Sequence, residues 1–181
     1  MMSRVSGTFL LRASVNGEPI DSDNTRIVFV AGPTQANVST FFGLDNQFVA
    51  GETGQLVMQA YDQYGNFRGV SGDLWDENPT LQHDSSSDTV FIRDNRDSTY
   101  DLSFTVTLSG VWRPQIRLDG ELVGSGALSF RVLPAELDVR SCVLVGDSAR
   151  YAIAGKSTKL TVQGRDRFGN NRTTNDCTMG I

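Results

Sequence analysis

Apolar and polar residues alternate along several segments of the chain with the period of two that is typical of β-strands. The longest alternating segment, residues 100–108, places five apolar side chains on one face and short polar side chains on the other. A strand with this pattern is buried on one face only, against a second layer. No segment carries an apolar stripe with the 3.6-residue period of a helix, so the pattern predicts an all-β protein.

Shorter alternating segments predict further strands at residues 35–42, 56–60, 89–93, 112–118 and 128–132. Turn-forming dipeptides such as Asp119-Gly120 separate them, because glycine tolerates a positive φ. Residues 73–87 are interpreted as a polar loop between two short strands. About seven short strands in roughly 100 residues are typical of an immunoglobulin-like antiparallel β-sandwich, which is the predicted fold class.

The sequence also repeats itself at a much longer period. Residues 50–68 match residues 154–172 at a spacing of 104, with eight of 19 positions identical. Ser6-Gly7 matches Ser109-Gly110 at a spacing of 103, so one residue is gained between the two matches. A period of this length predicts tandem domains.

The phase of the repeat predicts three segments. Residues 1–32 are the last strands of one repeat, residues 33–136 are a complete repeat of about 104 residues, and residues 137–181 are the first strands of another. Neither flanking segment carries enough strands to bury a two-sided core by itself, so we expect the natural protein to extend beyond both ends. The alternative is that the two flanking segments pair with each other as one permuted domain.

The repeated residues resemble those of the filamin-type immunoglobulin repeat over the whole chain. The resemblance is carried by the Asp-x-x-Gly-Asn turns at residues 62–66 and 166–170 and by a second set of positions. That set comprises Asp97, Thr99, Tyr100, Leu102, Phe104, Gly110, Trp112, Ile116, Leu118, Gly120, Gly124, Ser125, Phe130 and Val132. Ser98, Val106 and the Gly126-Ala127 pair depart from the family pattern. They bring the chain closer to divergent repeats of protist, algal and plant proteins, some of which lie on gamete surfaces.

The resemblance implies an interaction module in an actin-linked, cytoplasmic scaffold. Filamin-type repeats bind partner peptides by strand addition in a groove beside their third and fourth strands. Carried over to this sequence, the groove involves Leu74, Trp75, Thr89, Val90 and Ile92. The alternative for Trp75 and Val90 is that both are core residues.

Composition excludes several classes of partner and site. The 181 residues carry a formal net charge of −5, which gives no reason to expect nucleic acid or an anionic membrane as a partner, because either would require a basic face. No apolar run is long enough to cross a bilayer, so no membrane insertion is expected in this segment. A single histidine and two cysteines without a CxxC pair argue against structural zinc, and no cofactor is predicted. Cys142 and Cys177 are either one disulfide or two separate thiols.

Three clusters suggest chemistry, and each has a simpler explanation. The turn at Asp62 offers too few oxygens for calcium, so a β-turn capped by the Asp side chain is expected. The stretch 93–97 interleaves Arg93 and Arg96 with carboxylates, which predicts a solvated, partly self-paired turn. His83 lies beside Asp84 in a serine-rich segment without a Gly-x-Ser-x-Gly nucleophile turn, so the chain is not expected to be an enzyme.

Two further observations favour a different cellular setting. Asn37 and Asn171 each begin an Asn-x-Ser/Thr triplet, the acceptor pattern for N-glycosylation. With the looser filamin match, these triplets favour an extracellular adhesion ectodomain as the alternative to the scaffold. A purely mechanical spacer is the third hypothesis. In every case the expected partners are proteins, either peptide tails or neighbouring repeats.

Overall fold

The computed structural model describes residues 3–20, 25–44, 47–70, 72–146 and 150–173. Within these ranges the chain forms strands and two short 3-10 helices, and no α-helix. The strands that precede residue 33 are β1 (Gly7–Leu10), β2 (Ala13–Val15), β3 (Glu18–Ile20) and β4 (Arg26–Phe29). The prediction of a nearly all-β chain is confirmed for the described residues.

Residues 33–136 carry most of the strands. In chain order these are β5 (Thr40–Phe42), β6 (Phe48–Val49), β7 (Thr53–Gln59), β8 (Thr80–His83), β9 (Ser86–Thr89), β10 (Phe91–Asp94), β11 (Thr99–Thr105), β12 (Gly110–Gln115), β13 (Arg117–Leu118), β14 (Glu121–Leu122) and β15 (Phe130–Leu133). They are followed by β16 (Val143–Val145) and β17 (Thr161–Gln163). This is more strands than the seven predicted per repeat, because short edge strands and the β13–β14 hairpin form separate elements.

Two open sheets organise this central segment. One has the order β10-β11-β7-β5 and is antiparallel throughout. The other has the order β6-β15-β12-β8-β9, in which β6 and β15 run parallel and the remaining pairs are antiparallel. Each sheet therefore has two edges, and β9 and β10, which are consecutive in sequence, are edge strands of different sheets.

The inward faces of both sheets contribute to one hydrophobic core. On the first sheet, β11 and β7 place Leu102 opposite Leu56, and both side chains are fully buried. On the second sheet, Trp112 and Phe130 face each other across β12 and β15 and belong to the same buried cluster. Burial of each such side chain contributes about 1.5–3 kcal/mol. The period-two prediction is confirmed at these strands, because alternate residues do point into the core.

The predicted strand at residues 89–93 is wrong as a single element. β9 ends at Thr89 and β10 begins at Phe91, and the two strands lie in different sheets. Between them, the amide of Val90 donates to the carbonyl oxygen of Pro79 at 3.0 Å, and its side chain is 2% exposed. The chain crosses from one sheet to the other at this residue, which an alternating pattern cannot reveal.

The interpretation of residues 73–87 as a loop is also wrong in part. β8 and the first residues of β9 lie in this range and form an antiparallel hairpin. Leu81 is the only residue of β8 that is fully buried, and β9 is polar throughout. An edge hairpin with one buried side chain has too little apolar alternation to be recognised from the sequence.

Other predicted strands begin later than expected. Residues 35–39 form a turn in which the amide of Ser39 donates to the carbonyl oxygen of Gln35 at 3.0 Å, and β5 starts only at Thr40. β15 starts at Phe130, after a 3-10 helix at Val123–Gly126. In the turn at residues 94–97, the carboxylates of Asp94 and Asp97 accept backbone amides. No ion pair of the described residues involves the neighbouring arginines, so the predicted self-pairing is wrong.

The sequence repeat is also a repeat of strand register. β1 pairs with β4 with Gly7 opposite Phe29, and β12 pairs with β15 with Gly110 opposite Val132, each 103 residues later. β5 pairs with β7 as β16 pairs with β17, with the partners shifted by 103 and 104 residues. In the described ranges, the strands before residue 33 pair only with each other and so do those after residue 136. No strand pairing joins the two flanking segments within those ranges, and the division into repeats stays a prediction.

Candidate functional site

Two turns with the pattern Asp-x-x-Gly-Asn are the candidate site, and we call residues 62–66 the first turn and residues 166–170 the second turn. In the first turn, Oδ1 of Asp62 accepts hydrogen bonds from the amides of Tyr64 and Asn66, both at 2.9 Å. Gly65 has a φ of +78°, a conformation that glycine adopts without strain. The predicted turn capped by its Asp side chain is confirmed.

The side chains of Asp62 and Asn66 also bond to each other. Nδ2 of Asn66 lies 3.1 Å from Oδ1 and 2.9 Å from Oδ2 of the carboxylate. Burial would raise the pKa of Asp62, but the hydrogen bonds from the Asn66 side chain and from three backbone amides outweigh it and lower the pKa to about 2. Asp62 is therefore a buried, ionised carboxylate whose charge is compensated by N–H donors.

The first turn reaches backward onto the segment that precedes it in the chain. Oδ2 of Asp62 accepts the amide of Gly32 at 2.9 Å. Oδ1 of Asn66 accepts the amide of Ser6 at 3.0 Å, and Nδ2 of Asn66 donates to the carbonyl oxygen of Arg4 at 2.8 Å. Three hydrogen bonds thus join two side chains of the turn to the backbone near β1 and just after β4.

The second turn makes the equivalent three bonds. Oδ2 of Asp166 accepts the amide of Ala135 at 2.8 Å. Oδ1 of Asn170 accepts the amide of Ser109 at 2.9 Å, and Nδ2 of Asn170 donates to the carbonyl oxygen of Thr107 at 2.7 Å. Burial opposes ionisation of Asp166, but its hydrogen bonds from Asn170, Ala135 and other amides lower its pKa in the same way.

Each partner at the second turn lies 103 or 104 residues after its counterpart at the first. We call the two sets of bonds the first and second joint. Each of the three hydrogen bonds at a joint pairs a side chain of the turn with a backbone group of the earlier segment, so these bonds require no particular side chain there. Gly32 at the first joint is replaced by Ala135 at the second without loss of the bond. The joint thus depends on Asp and Asn in the turn and on the backbone path that faces them.

The sequence contains the parts of the joint as two separate repeated clusters, Ser6-Gly7 and the first turn. The structure shows that these two clusters bond to each other. The signal available in the sequence was that both clusters recur together at nearly the same spacing. A repeat by itself does not distinguish residues that shape a turn from residues that contact another segment.

The five residues predicted to line a partner groove do not form one exposed surface. Val90 is a core residue, and Ile92 packs against the core. Trp75 is half-buried and lies edge-on to the ring of Tyr100, with 5.1 Å between ring centroids. Only Leu74 and Thr89 are exposed. Val90 is therefore not accessible to a partner, and peptide binding by the remaining residues stays a prediction.

Both predicted glycosylation acceptors are exposed. Asn37 lies in the turn before β5, while Ser39 of the same triplet is buried, with its hydroxyl donating to the carbonyl oxygen of Gln35. Asn171 directly follows the second turn, and its side-chain oxygen accepts a hydrogen bond from Nε of Arg165 at 3.0 Å. Modification of either asparagine stays a prediction.

The histidine considered for catalysis lies on an aromatic residue of the core. Its ring centroid is 5.1 Å from that of Trp112, and its Nδ1 accepts the amide of Ser85 at 3.2 Å. The carboxylate of Asp84 is instead 3.4 Å from Nη1 of Arg113. The carboxylate, imidazole and hydroxyl are therefore not arranged in the order that a catalytic triad requires.

Three further features concern metal binding, membrane insertion and the cysteines. No group of three or more His, Cys, Asp or Glu side chains in those ranges is placed to hold a metal ion. No helix there has the length and apolar composition to span a membrane. Cys142 donates from Sγ to the carbonyl oxygen of Asp138 at 3.3 Å. Cys177 lies outside the described residues, so a disulfide between Cys142 and Cys177 stays a prediction.

Comparison with solved structures finds similar chains in a bacterial adhesin and in a bacterial integrin-binding protein. FdeC, an adhesin of Escherichia coli, is 23% identical with a TM-score of 0.59, and the match covers 93% of this chain and 53% of the FdeC chain. Invasin, a bacterial integrin-binding protein, is 18% identical with a TM-score of 0.54, over 93% of this chain and 34% of invasin. The chain thus spans about half of the one and a third of the other. No family description and no curated protein matches the sequence.

A filamin domain, that of Lin-41, is 17% identical with a TM-score of 0.46, over 56% of this chain and 97% of that domain. A likeness at that level does not assign the chain to the filamin family, which stays a prediction from the sequence. The likenesses to FdeC and invasin support an immunoglobulin-like fold, and at their level of identity they establish the fold alone.

Proposed function

We propose that this chain is a non-catalytic part of a cell-surface adhesion ectodomain, built from consecutive immunoglobulin-like units that are held in a fixed relative orientation. The observation that carries the proposal is the recurrence of the same three side-chain-to-backbone bonds at both joints. Because all three must break before one unit can swing against the next, the joints stiffen the array. A stiff array holds a binding end away from the surface to which it is anchored.

The proposal divides the chain as the repeat predicts. Residues 33–136 form one complete β-sandwich unit, residues 1–32 the end of the unit before it and residues 137–181 the start of the unit after it. Two observations support this division: strand registers recur at the period of the sequence repeat, and the hydrophobic core of the described residues is formed by the two sheets of the central segment. Each joint then lies where one unit follows another.

The structural likeness to FdeC and invasin supports an adhesive setting, since the former is an adhesin and the latter binds integrin. The partner of this chain is then a protein, which the likeness does not identify. An actin-linked scaffold receives less support, because Val90 is buried and Trp75 is half-buried, so neither offers a fully exposed side chain to a partner peptide. A mechanical spacer uses the same joints and differs only in having no adhesive face of its own.

Surface exposure of the parent protein is the direct test. Antibodies raised against this chain should label intact cells of the source organism, and protease treatment of intact cells should remove the label. Labelling that appears only after permeabilisation would overturn the proposal in favour of an intracellular scaffold.

A second experiment separates the adhesin from the spacer. Residues 33–136 of the parent protein are exchanged for an unrelated immunoglobulin-like unit of similar length, and surface level and cell adhesion are both measured. Loss of adhesion at an unchanged surface level indicates that the unit carries an adhesive face. Full retention of adhesion indicates a spacer.

A further inference from the structure

An aromatic ring of the second turn lies directly on the backbone of a glycine in the central segment. A methyl group at Gly51 would lie 2.3 Å from Cζ and 2.5 Å from Cε2 of Phe168, so only a residue without a side chain leaves room for the ring. Gly51 is anchored in its own unit, because its amide donates to the carbonyl oxygen of Val106 at 2.8 Å. The Phe168 ring therefore packs against backbone that is held in place by a hydrogen bond within the central segment.

A guanidinium lies near the aromatic ring of each turn, although the two arginines occupy different positions in the chain. At the second joint the guanidinium is that of Arg167, 4.7 Å from the centroid of the Phe168 ring. At the first joint it is that of Arg4, 5.9 Å from the centroid of the Tyr64 ring. Arg167 belongs to the turn itself, whereas Arg4 belongs to the preceding segment. The pairing of ring and cation is kept even though its source changes.

We propose that Gly51 is the seat of a docking surface that recognises the aromatic residue of an Asp-x-aromatic-Gly-Asn turn on the following unit. The occupant in this chain is Phe168, which has Asp166 two residues before it and Asn170 two residues after it. The polar bonds of the joint fix the turn against the backbone, and the ring selects which turn fits. The inference rests on the proposed division into units and deepens it, because it names the contact that determines which unit can follow another.

The same seat recurs in the following segment. Gly155 lies 104 residues after Gly51 and has a φ of +79°, against +81° for Gly51. No described atom lies within 4 Å of the position that a methyl group on Gly155 would occupy. Tyr64, the aromatic residue of the first turn, shows that a hydroxyl on the ring is compatible with a turn of this pattern.

The test is a double-mutant cycle on the intact chain with Gly51→Ala, Phe168→Ala and the combined variant. The readout is hydrogen exchange at the amides of Ser109 and Ala135, which bond to the second turn. The amide of Ala60, which bonds to Ser98 inside the central segment, reports whether the unit itself stays folded.

Each single substitution should accelerate exchange at the two joint amides by about tenfold, with the Ala60 amide unchanged. The combined variant should exchange much more slowly than the sum of the two single effects predicts, because the methyl group then meets no ring and mainly the strain of the positive φ remains. Phe168→Tyr, which copies the first turn, should leave exchange unchanged. Additive effects of the two substitutions would overturn the proposal, since they would show that Gly51→Ala acts only through the strain of its positive φ. So would unchanged exchange in Phe168→Ala.

This outcome is independent of where the parent protein resides. If the protein is found inside the cell and the two substitutions are still coupled, the adhesion proposal is wrong and the docking surface at Gly51 stands. If the protein is exposed on the cell surface and the two substitutions are not coupled, the docking surface is wrong and the adhesion proposal stands.

Discussion

The side-chain oxygen of Asn170 accepts a 2.9 Å hydrogen bond from the amide of Ser109, which lies 61 positions earlier in the chain. Asn66 takes the same bond from Ser6, 60 positions earlier, at 3.0 Å. In both cases the amide nitrogen of the same side chain donates to the carbonyl oxygen two residues before the serine. A short primary amide suits this position because it is both a donor and an acceptor.

Replacement of Asn170 should loosen the second joint selectively. Asn170→Ala removes both backbone bonds, each of which contributes about 0.5–1.5 kcal/mol, so hydrogen exchange at the Ser109 amide should rise by about tenfold or more. Asn170→Asp should be at least as disruptive, because a second carboxylate would face Asp166. Asn37→Ala, at an exposed asparagine outside the joints, is the control. Equal protection of Ser109 in all variants would contradict the joint.

The first joint should weaken in acid. The pKa of Asp62 is about 2 in the folded chain, below its ordinary value of 3.8, so the ionised carboxylate stabilises the fold. That contribution is fully present above the unfolded pKa and is lost as the pH falls through the folded one. We expect the urea midpoint of unfolding to fall between about pH 4 and pH 2.

Asp62→Asn should lower the urea midpoint near neutral pH and flatten its decline in acid. The decline that remains reflects other carboxylates, among them Asp166, whose pKa is also lowered. Asp119→Asn is the matched control, because Asp119 is exposed and the equivalent hairpin carries Asn16 at this position. An identical pH profile for Asp62→Asn and the unmodified chain would contradict the role of the ionised carboxylate.

Two glycines should respond in opposite ways to alanine. A methyl group at Gly54 would lie 2.4 Å from Cζ of Phe104, so Gly54→Ala should destabilise the central segment by about 1–3 kcal/mol. At Gly32 the nearest atom, Oδ2 of Asp62, would be 3.6 Å away, and Ala135 occupies the equivalent position at the second joint. Gly32→Ala should therefore be tolerated. Urea unfolding followed by the fluorescence of the two tryptophans measures both, since Trp75 and Trp112 lie in this segment. Equal stability of the two variants would show that the Phe104 ring does not restrict position 54.

The two ends of the predicted groove should also differ. Val90→Ala removes a buried side chain and should cost on the order of 2 kcal/mol, whereas Leu74→Ala, at a residue 86% exposed, should change stability by less than about 0.5 kcal/mol. Thermal unfolding of both variants provides the comparison. An unchanged melting temperature of Val90→Ala would contradict a core role for Val90 and would make it a candidate contact residue again.

Much of the fold was predictable where the information is local. The alternation at β7 and β11 follows from the side-chain period of an extended chain, and those strands appear with the predicted faces buried. The Asp119-Gly120 turn was predictable because its two positive φ angles favour these residue types. β9 and the break at Val90 were not, because a polar edge strand has no apolar alternation and a crossover between sheets is a non-local event.

The sequence by itself determined the β-strands, the turns between them and the period at which they recur, because each depends on residues that are close in the chain. It also determined that Asp62 caps its own turn. Only the tertiary structure decided that Asp62 and Asn66 bind Gly32, Ser6 and Arg4, and that Phe168 lies on Gly51. These contacts join segments about 30 to 120 residues apart. They engage backbone groups of the earlier segment, which every residue type provides, so the sequence does not reveal them except where a side chain must be absent, as at Gly51.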